Sequence, residues 1–350
     1  MRRISVRTRT TLAAALLALP AAAGAQTYKV DKYDIGGPGG TDYLSADPAT
    51  GRVYVSRATH VMVLDGASGK VIGDIPETPR VHGIAFAPKY NHGFTTNSGD
   101  STVTMFDTKT LAVIKKIHAG TDGLDGIMYD DATDRIFSIN HSHPMGSVVA
   151  IDANTGDVVG TATLSGRAPE GGASDGKGKV YVNIEDKNSI DVLDARTLKV
   201  IGNLPIEACD GPTGIALDRA SNRIFAGCSK TSVVVDVASG KVISQIANGN
   251  GVDALSWDPQ QKLIYIPAGR DGNVTVVHQD TPDKYTVVAT VPTMAGAKTI
   301  ALDPATHKAY VFTPEYGPAP APVAGATAPA PGGRPPRGPV IGAWFIVLSH

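Results

Sequence analysis

Residues 214–244 contain Gly214-Ile215-Ala216-Leu217-Asp218-Arg219, then Ile224-Phe225-Ala226, then Val233-Val234-Val235, then Lys241-Val242-Ile243-Ser244. Each run is short and rich in branched or aromatic residues, the composition of a pleated, packed surface. The runs are separated by turn residues, and an Asp at the head of a turn presets its geometry. The stretch therefore reads as four antiparallel strands, one small sheet.

The same pattern recurs along the chain. Second-strand aromatics stand at Tyr54, Phe94, Phe137, Tyr181, Phe225, Tyr265 and Tyr310, with gaps of 40, 43, 44, 44, 40 and 45 residues. About seven residues before each comes a turn: Asp47-Pro48, Ala87-Pro88, Asp130-Asp131, Asp175-Gly176, Asp218-Arg219, Asp258-Pro259, Asp303-Pro304. A third run follows each aromatic, as in Val61-Met62-Val63-Leu64 and Val148-Val149-Ala150-Ile151. Even spacing of four-strand units is the mark of a radial repeat. The expected fold is all-β: a seven-bladed β-propeller of four-stranded antiparallel blades, strands a to d running outward from the axis. The last repeat has strands a and b, and Ala343-Trp344-Phe345-Ile346-Val347-Leu348 supplies strand c. Tyr28-Lys29-Val30-Asp31-Lys32-Tyr33 is the expected fourth strand. That N-terminal strand would close the ring and leave no bare edge.

Tyr181-Val182-Asn183 and Tyr54-Val55-Ser56 carry a resemblance to the YVTN-type β-propeller repeat family, which is related to lactonase-like propellers. The resemblance spans the chain from residue 26 on. It implies a propeller fold and a bacterial secreted or surface protein.

The first 25 residues read as an export signal. Arg2, Arg3, Arg7 and Arg9 precede an apolar core from Leu12 to Ala22, and Ala23-Gly24-Ala25 is a small-residue cleavage site. Residues 26–350 then form one propeller domain, in the periplasm or outside the cell. The whole chain carries a formal charge of −1; without the four leader arginines it is −5. A nucleic-acid binder should be basic, so nucleic acid is not the expected partner. A small molecule or a protein remains. Cys209 and Cys228 fall on the same face of blade 5, and in an oxidising compartment they are expected to bridge, the alternative being two buried thiols. A Pro/Ala/Gly-rich stretch at about 314–339 reads as a loop inserted into blade 7.

Counting back five residues from each first turn gives Asp42, His82, Asp125, Glu170, Thr213, Asp253 and Lys298. Six of these seven ionise, and the next residue is small in five blades (Gly83, Gly126, Gly171, Gly214, Ala254). A small residue lets the inner strands crowd the axis. The seven should ring the channel entrance, with a charge of −3 when His82 is neutral. A ring of carboxylates favours a cation, a metal or a polyhydroxylated ligand. Further lining is expected from Arg57, Asn97, Asn140, Glu185 and Arg270 at the ends of the second strands. His141 and His143, with Asp125, form a candidate set for a divalent metal. No Gly-x-Ser-x-Gly elbow, phosphate loop or His-Glu-x-x-His is present. The chain reads as a binding or interaction protein with an acidic funnel. The alternative is a metal-assisted, lactonase-like hydrolase using the same ring.

Overall fold

The computed structural model describes residues 26–319 and 337–350. The expected leader, and residues 320–336 of the proline-rich stretch, lie outside the described residues. Seven four-stranded sheets are arranged as blades. Blade 3 is representative, with strands Leu124–Asp130, Arg135–Asn140, Ser147–Asp152 and Val158–Thr163 in spatial order. Every pairing within it is antiparallel.

The turn aspartates show why the repeat has its punctuation. Asp47, Asp218, Asp258 and Asp303 each accept, on Oδ1, the backbone N–H two residues on, at 2.9–3.1 Å. The side chain thereby closes a turn that joins the inner strand to the second.

The seven spaced aromatics are the bulk of the interblade core. All are at most 2 % exposed. Tyr310 stacks on Phe345 with centroids 5.5 Å apart, and both pack with Val53 and Leu64 of the next blade. Truncating one such ring would cost about 3–5 kcal/mol.

Blade 7 is assembled from both chain ends. Its strands are Ile300–Asp303, Lys308–Tyr316, Val340–Ser349 and, outermost, Lys29–Asp34. The N-terminal strand pairs antiparallel with Val340–Ser349, Val30 opposite Leu348 and Tyr33 opposite Phe345. The expected interruption of this blade is narrower than 314–339. Pro314 sits opposite Ala343 in the ladder, and Gly317 N–H donates to the Pro339 carbonyl at 2.8 Å. Proline is tolerated there because the pairing with the inner strand stops at Val311, which leaves this part of the strand with a free edge.

Cys209 and Cys228 are joined in a disulfide, Cα atoms 5.6 Å apart, both fully buried. The bridge ties the connection entering blade 5 to the end of that blade's second strand. Among the described residues, no helix is long and apolar enough to cross a membrane.

Candidate functional site

The hub is built by crowding. In blades 2, 3 and 4 the inner strand bulges against its neighbour between Val81 and Ile84, Leu124 and Ile127, and Pro169 and Gly172. The residues inside those bulges are His82-Gly83, Asp125-Gly126 and Glu170-Gly171. A bulge re-aims the side chain it carries. The glycine that follows faces the next blade's backbone. A Cβ on Gly126 would stand 2.7 Å from the Glu170 carbonyl oxygen, and one on Gly171 would stand 2.8 Å from that of Thr213. Only glycine lets the inner strands close to this distance, which explains the small residue after the ring position.

Closure brings six of the seven ring residues into one line of alternating charge. Asp253 binds Lys298 Nζ, which also lies 3.1 Å from Asp42 Oδ1. The other Asp42 oxygen meets His82 Nδ1, itself 3.4 Å from Asp125 Oδ1. His141 Nε2 continues the line, 3.4 Å from Asp125 Oδ2 and 3.2 Å from Glu170 Oε1. Thr213 stands apart: its hydroxyl donates to the Val252 carbonyl at 3.0 Å. These six and His141, with Tyr43 and Arg80, wall a cavity of about 500 Å³.

Burial and neighbours set the protonation of the line. Burial raises the Asp125 carboxyl, the Asp42 charge adds to it, and it reaches about 6. Glu170 is pushed up to about 7, chiefly by burial and also by the Asp125 charge. Burial disfavours the His141 cation, but Glu170 and Asp125 outweigh it and raise the imidazole to about 9. His82 is raised for the same reason, Asp42 and Asp125 outweighing its burial. Asp42 goes the other way. Burial would raise it, yet His82 and Lys298 hold it below the usual carboxylate range. Asp125 and Glu170, which resist ionisation beside imidazoles, and Asp42 and Asp253, which share the Lys298 ammonium, make one wall with two chemistries.

The expected lining from the second strands is mostly absent, because the fold uses those groups itself. Arg57 is fully buried and donates to the carbonyls of Gly36, Gly37, Pro38 and Gly39 at 2.8–3.3 Å. Asn97 donates to Thr102 and Thr104 hydroxyls, and Asn140 to the Ser138 carbonyl. Glu185, Arg270 and Thr213 instead line a second cavity of about 900 Å³ that shares Thr41, Asp253 and Lys298 with the first. The expected metal set also changes. His141 does meet Asp125, but its other neighbour is Glu170, while His143 is exposed and outside the cluster. Residues 142 and 143 leave the sheet in a turn, so the second histidine points elsewhere.

Sequence reasoning passed over Ser98, Tyr43 and Arg80. Ser98 Oγ lies 2.9 Å from His82 Nε2. Tyr43 stands among Asp125, Glu170, Asp253 and Asp42, whose charges add to burial in raising its hydroxyl well above the usual range. Tyr43 follows a ring position directly, a signal available in the chain. Ser98 directly follows Asn97, an expected lining position, but nothing in the chain ties it to His82, 16 residues away.

No family model matches this chain, and no curated protein matches it. The fold is similar to a chain of hydrazine synthase from Kuenenia stuttgartiensis, with a TM-score of 0.70 and 18 % identity, covering 79 % of this chain and 93 % of that one. It is also similar to a chain in the crystal structure of the mitotic checkpoint complex, with a TM-score of 0.70 and 16 % identity, covering 89 % and 95 %. Likeness at these identities shows the β-propeller fold, and nothing about activity.

Proposed function

We propose that this chain is an exported β-propeller binding protein, of the YVTN-repeat type, whose ligand enters the acidic cavity at the hub. The observation that carries this reading is the convergence of Asp42, Asp125, Glu170 and Asp253 from four blades onto one cavity of about 500 Å³, against Lys298 and Arg80 as the lysine and arginine among the described residues of its wall. Sites for small molecules are clefts of roughly 300–1,000 Å³ with a few convergent polar groups. The excess of carboxylates suits an organic cation, a metal ion or a polyhydroxylated molecule. Export is supported by the arginine-led apolar stretch at residues 1–25 and by the Cys209–Cys228 bridge, which belongs in an oxidising compartment.

The test is thermal unfolding of the purified chain against polyamines, sugars, lactones and divalent ions. A ligand of the hub should raise the unfolding temperature through its affinity for the folded state. The gain should shrink in Asp253→Asn for a ligand at one end of the line of charges and in Asp125→Asn for a ligand at the other. If no such compound stabilises the chain, or if stabilisation ignores both substitutions, the hub is not a ligand site.

A hydrolase is the second reading, and one observation favours it. His82 places Nδ1 on Asp42 and Nε2 2.9 Å from Ser98 Oγ. That is the order of a nucleophile, a base and an orienting carboxylate. A fluorophosphonate reagent should then label Ser98 in the parent chain and leave His82→Ala unlabelled. An unlabelled parent chain removes this reading.

A further inference from the structure

We infer that Asp125, His141 and Glu170 form a binding site for one first-row divalent metal ion, of the Zn²⁺ or Mn²⁺ kind, in the wall of the hub cavity. The inference rests on the reading of that cavity as a ligand site and names what one part of it takes. One donor atom from each residue lies within 4.8 Å of the other two. His141 Nε2 is 3.4 Å from Asp125 Oδ2 and 3.2 Å from Glu170 Oε1. A tetrahedral ion with bonds of about 2.0–2.2 Å sets its ligand atoms about 3.3–3.6 Å apart. The 3.4 Å separation fits such an edge, and the 3.2 Å one falls a tenth of an ångström short of it.

Two of the cluster's polar atoms also lack a hydrogen bond, although His141 Nε2 stays within ion-pair distance of Glu170. His141 Nε2 and Asp125 Oδ1 are buried side-chain atoms without a hydrogen-bond partner. Burying such a group unpaired is costly, so natural folds rarely leave one without a reason. Glu170 is 8 % exposed and lines the same cavity. The backbone is held firmly around them. His141 N–H donates to the Gly123 carbonyl at 2.8 Å, and a Cβ on Gly123, whose φ is +64°, would strike the His141 carbonyl oxygen.

A second cluster, Asp42, His82 and Asp125, is equally compact and fails the same test. Both ring nitrogens of His82 are engaged, Nδ1 with Asp42 and Nε2 with Ser98. The remaining Asp42 oxygen accepts from Lys298. A metal there would have to displace three hydrogen bonds and compete with an ammonium. The expected stoichiometry is therefore one ion, not two.

Donor type narrows the ion. One imidazole with two carboxylates is harder than a thiolate site and softer than the all-oxygen sites of Ca²⁺. Three protein ligands leave a fourth position facing the cavity, where water or an organic ligand can bind. His82, next to Asp125 Oδ1, is placed to orient that carboxylate without binding the ion.

Chelator-treated full-length chain is titrated with Zn²⁺ and with Mn²⁺ by calorimetry. One ion per chain is expected. His141→Ala and Glu170→Gln should each weaken binding more than about 100-fold, beyond the 10–100-fold seen for groups that only orient a ligand. His82→Ala should fall within that lower range, and His143→Ala should match the parent chain. Circular dichroism of each variant checks folding, and the near-isosteric Glu170→Gln carries the test where His141→Ala does not fold. No binding by the parent chain, two equal sites, or binding lost in His143→Ala but kept in His141→Ala overturns the inference. An organic ligand that stabilises the chelated chain would keep the hub as a ligand site while removing the metal from it.

Discussion

Arg57 and Glu170 are both charged and buried, 0 % and 8 % exposed, and both belong to the end of the propeller where the hub opens. They differ in what surrounds the charge. The Arg57 guanidinium is enclosed by four carbonyls and lies 4.9 Å from the centre of the Phe312 ring. The Glu170 carboxylate faces a cavity, with His141 as its ion-pair partner. Arg57 fastens the Gly36–Gly39 segment to blade 1. Glu170 has its carboxylate open to the cavity. Burial of a charge therefore does not mark a site. Nor does an unpartnered polar atom alone, since Arg57 Nε is one; what marks Glu170 is a carboxylate that opens on a cavity instead of on backbone carbonyls.

The comparison is sharpest in stability measurements. Arg57→Ala should produce the largest loss, at least about 3 kcal/mol in urea unfolding, because several buried carbonyls lose their donor at once. An unchanged midpoint would put Arg57 among the open groups. Asn97→Ala comes next, at about 2 kcal/mol by the same measurement, since the Thr95, Thr102 and Thr104 hydroxyls lose a buried partner.

The open groups should announce themselves through pH instead. Glu170 titrates at about 7 in the folded chain against an ordinary 4.5, so the folded state holds a proton that the unfolded state has released. Stability then falls as pH rises from 4.5 through 7. His141, raised from 6.5 to about 9, keeps its proton longer in the folded state and extends the fall across that window. Glu170→Gln removes the first titration and the main support of the second. The pH-dependent loss should shrink by about 1–3 kcal/mol, read from unfolding midpoints across the range. A slope left unchanged by the substitution would assign it to Asp125, raised to about 6, and to His82 instead. The smallest effect is expected at His143, exposed and outside the cluster: His143→Ala should stay within about 0.5 kcal/mol of the parent chain.

Much of the fold was legible because repetition is a strong signal. One aromatic every forty or so residues, preceded by a turn that begins with aspartate in six of the seven units, names a radial repeat without any contact being known. The chain ends completed the argument, since blade 7 lacked an outer strand and residues 28–33 had the right pattern. The ring positions were legible for a related reason. The residue after each is small because an adjacent inner strand fills the space of its Cβ, and that constraint is written in the sequence as Gly83, Gly126, Gly171 and Gly214.

The second layer was not legible. Arg57, Asn97 and Asn140 end their strands at the face the ring occupies, and polarity at that place suggested a lining. Whether each faces the cavity or a neighbouring carbonyl depends on partners such as Gly36 and Thr104, and no spacing rule connects them. The same holds for Ser98 against His82 and for Glu170 against His141.

The sequence by itself determined the architecture: how many blades, where each turns and which strand closes the ring. These follow from local chemistry repeated seven times, so a single unit misread would be outvoted by the others. Only the tertiary structure decided which polar groups at the hub are left open. That depends on distances of a few tenths of an ångström between residues of different blades. Such distances are set by how bulged strands and glycines let neighbouring blades approach, a property of the closed ring and of no segment alone.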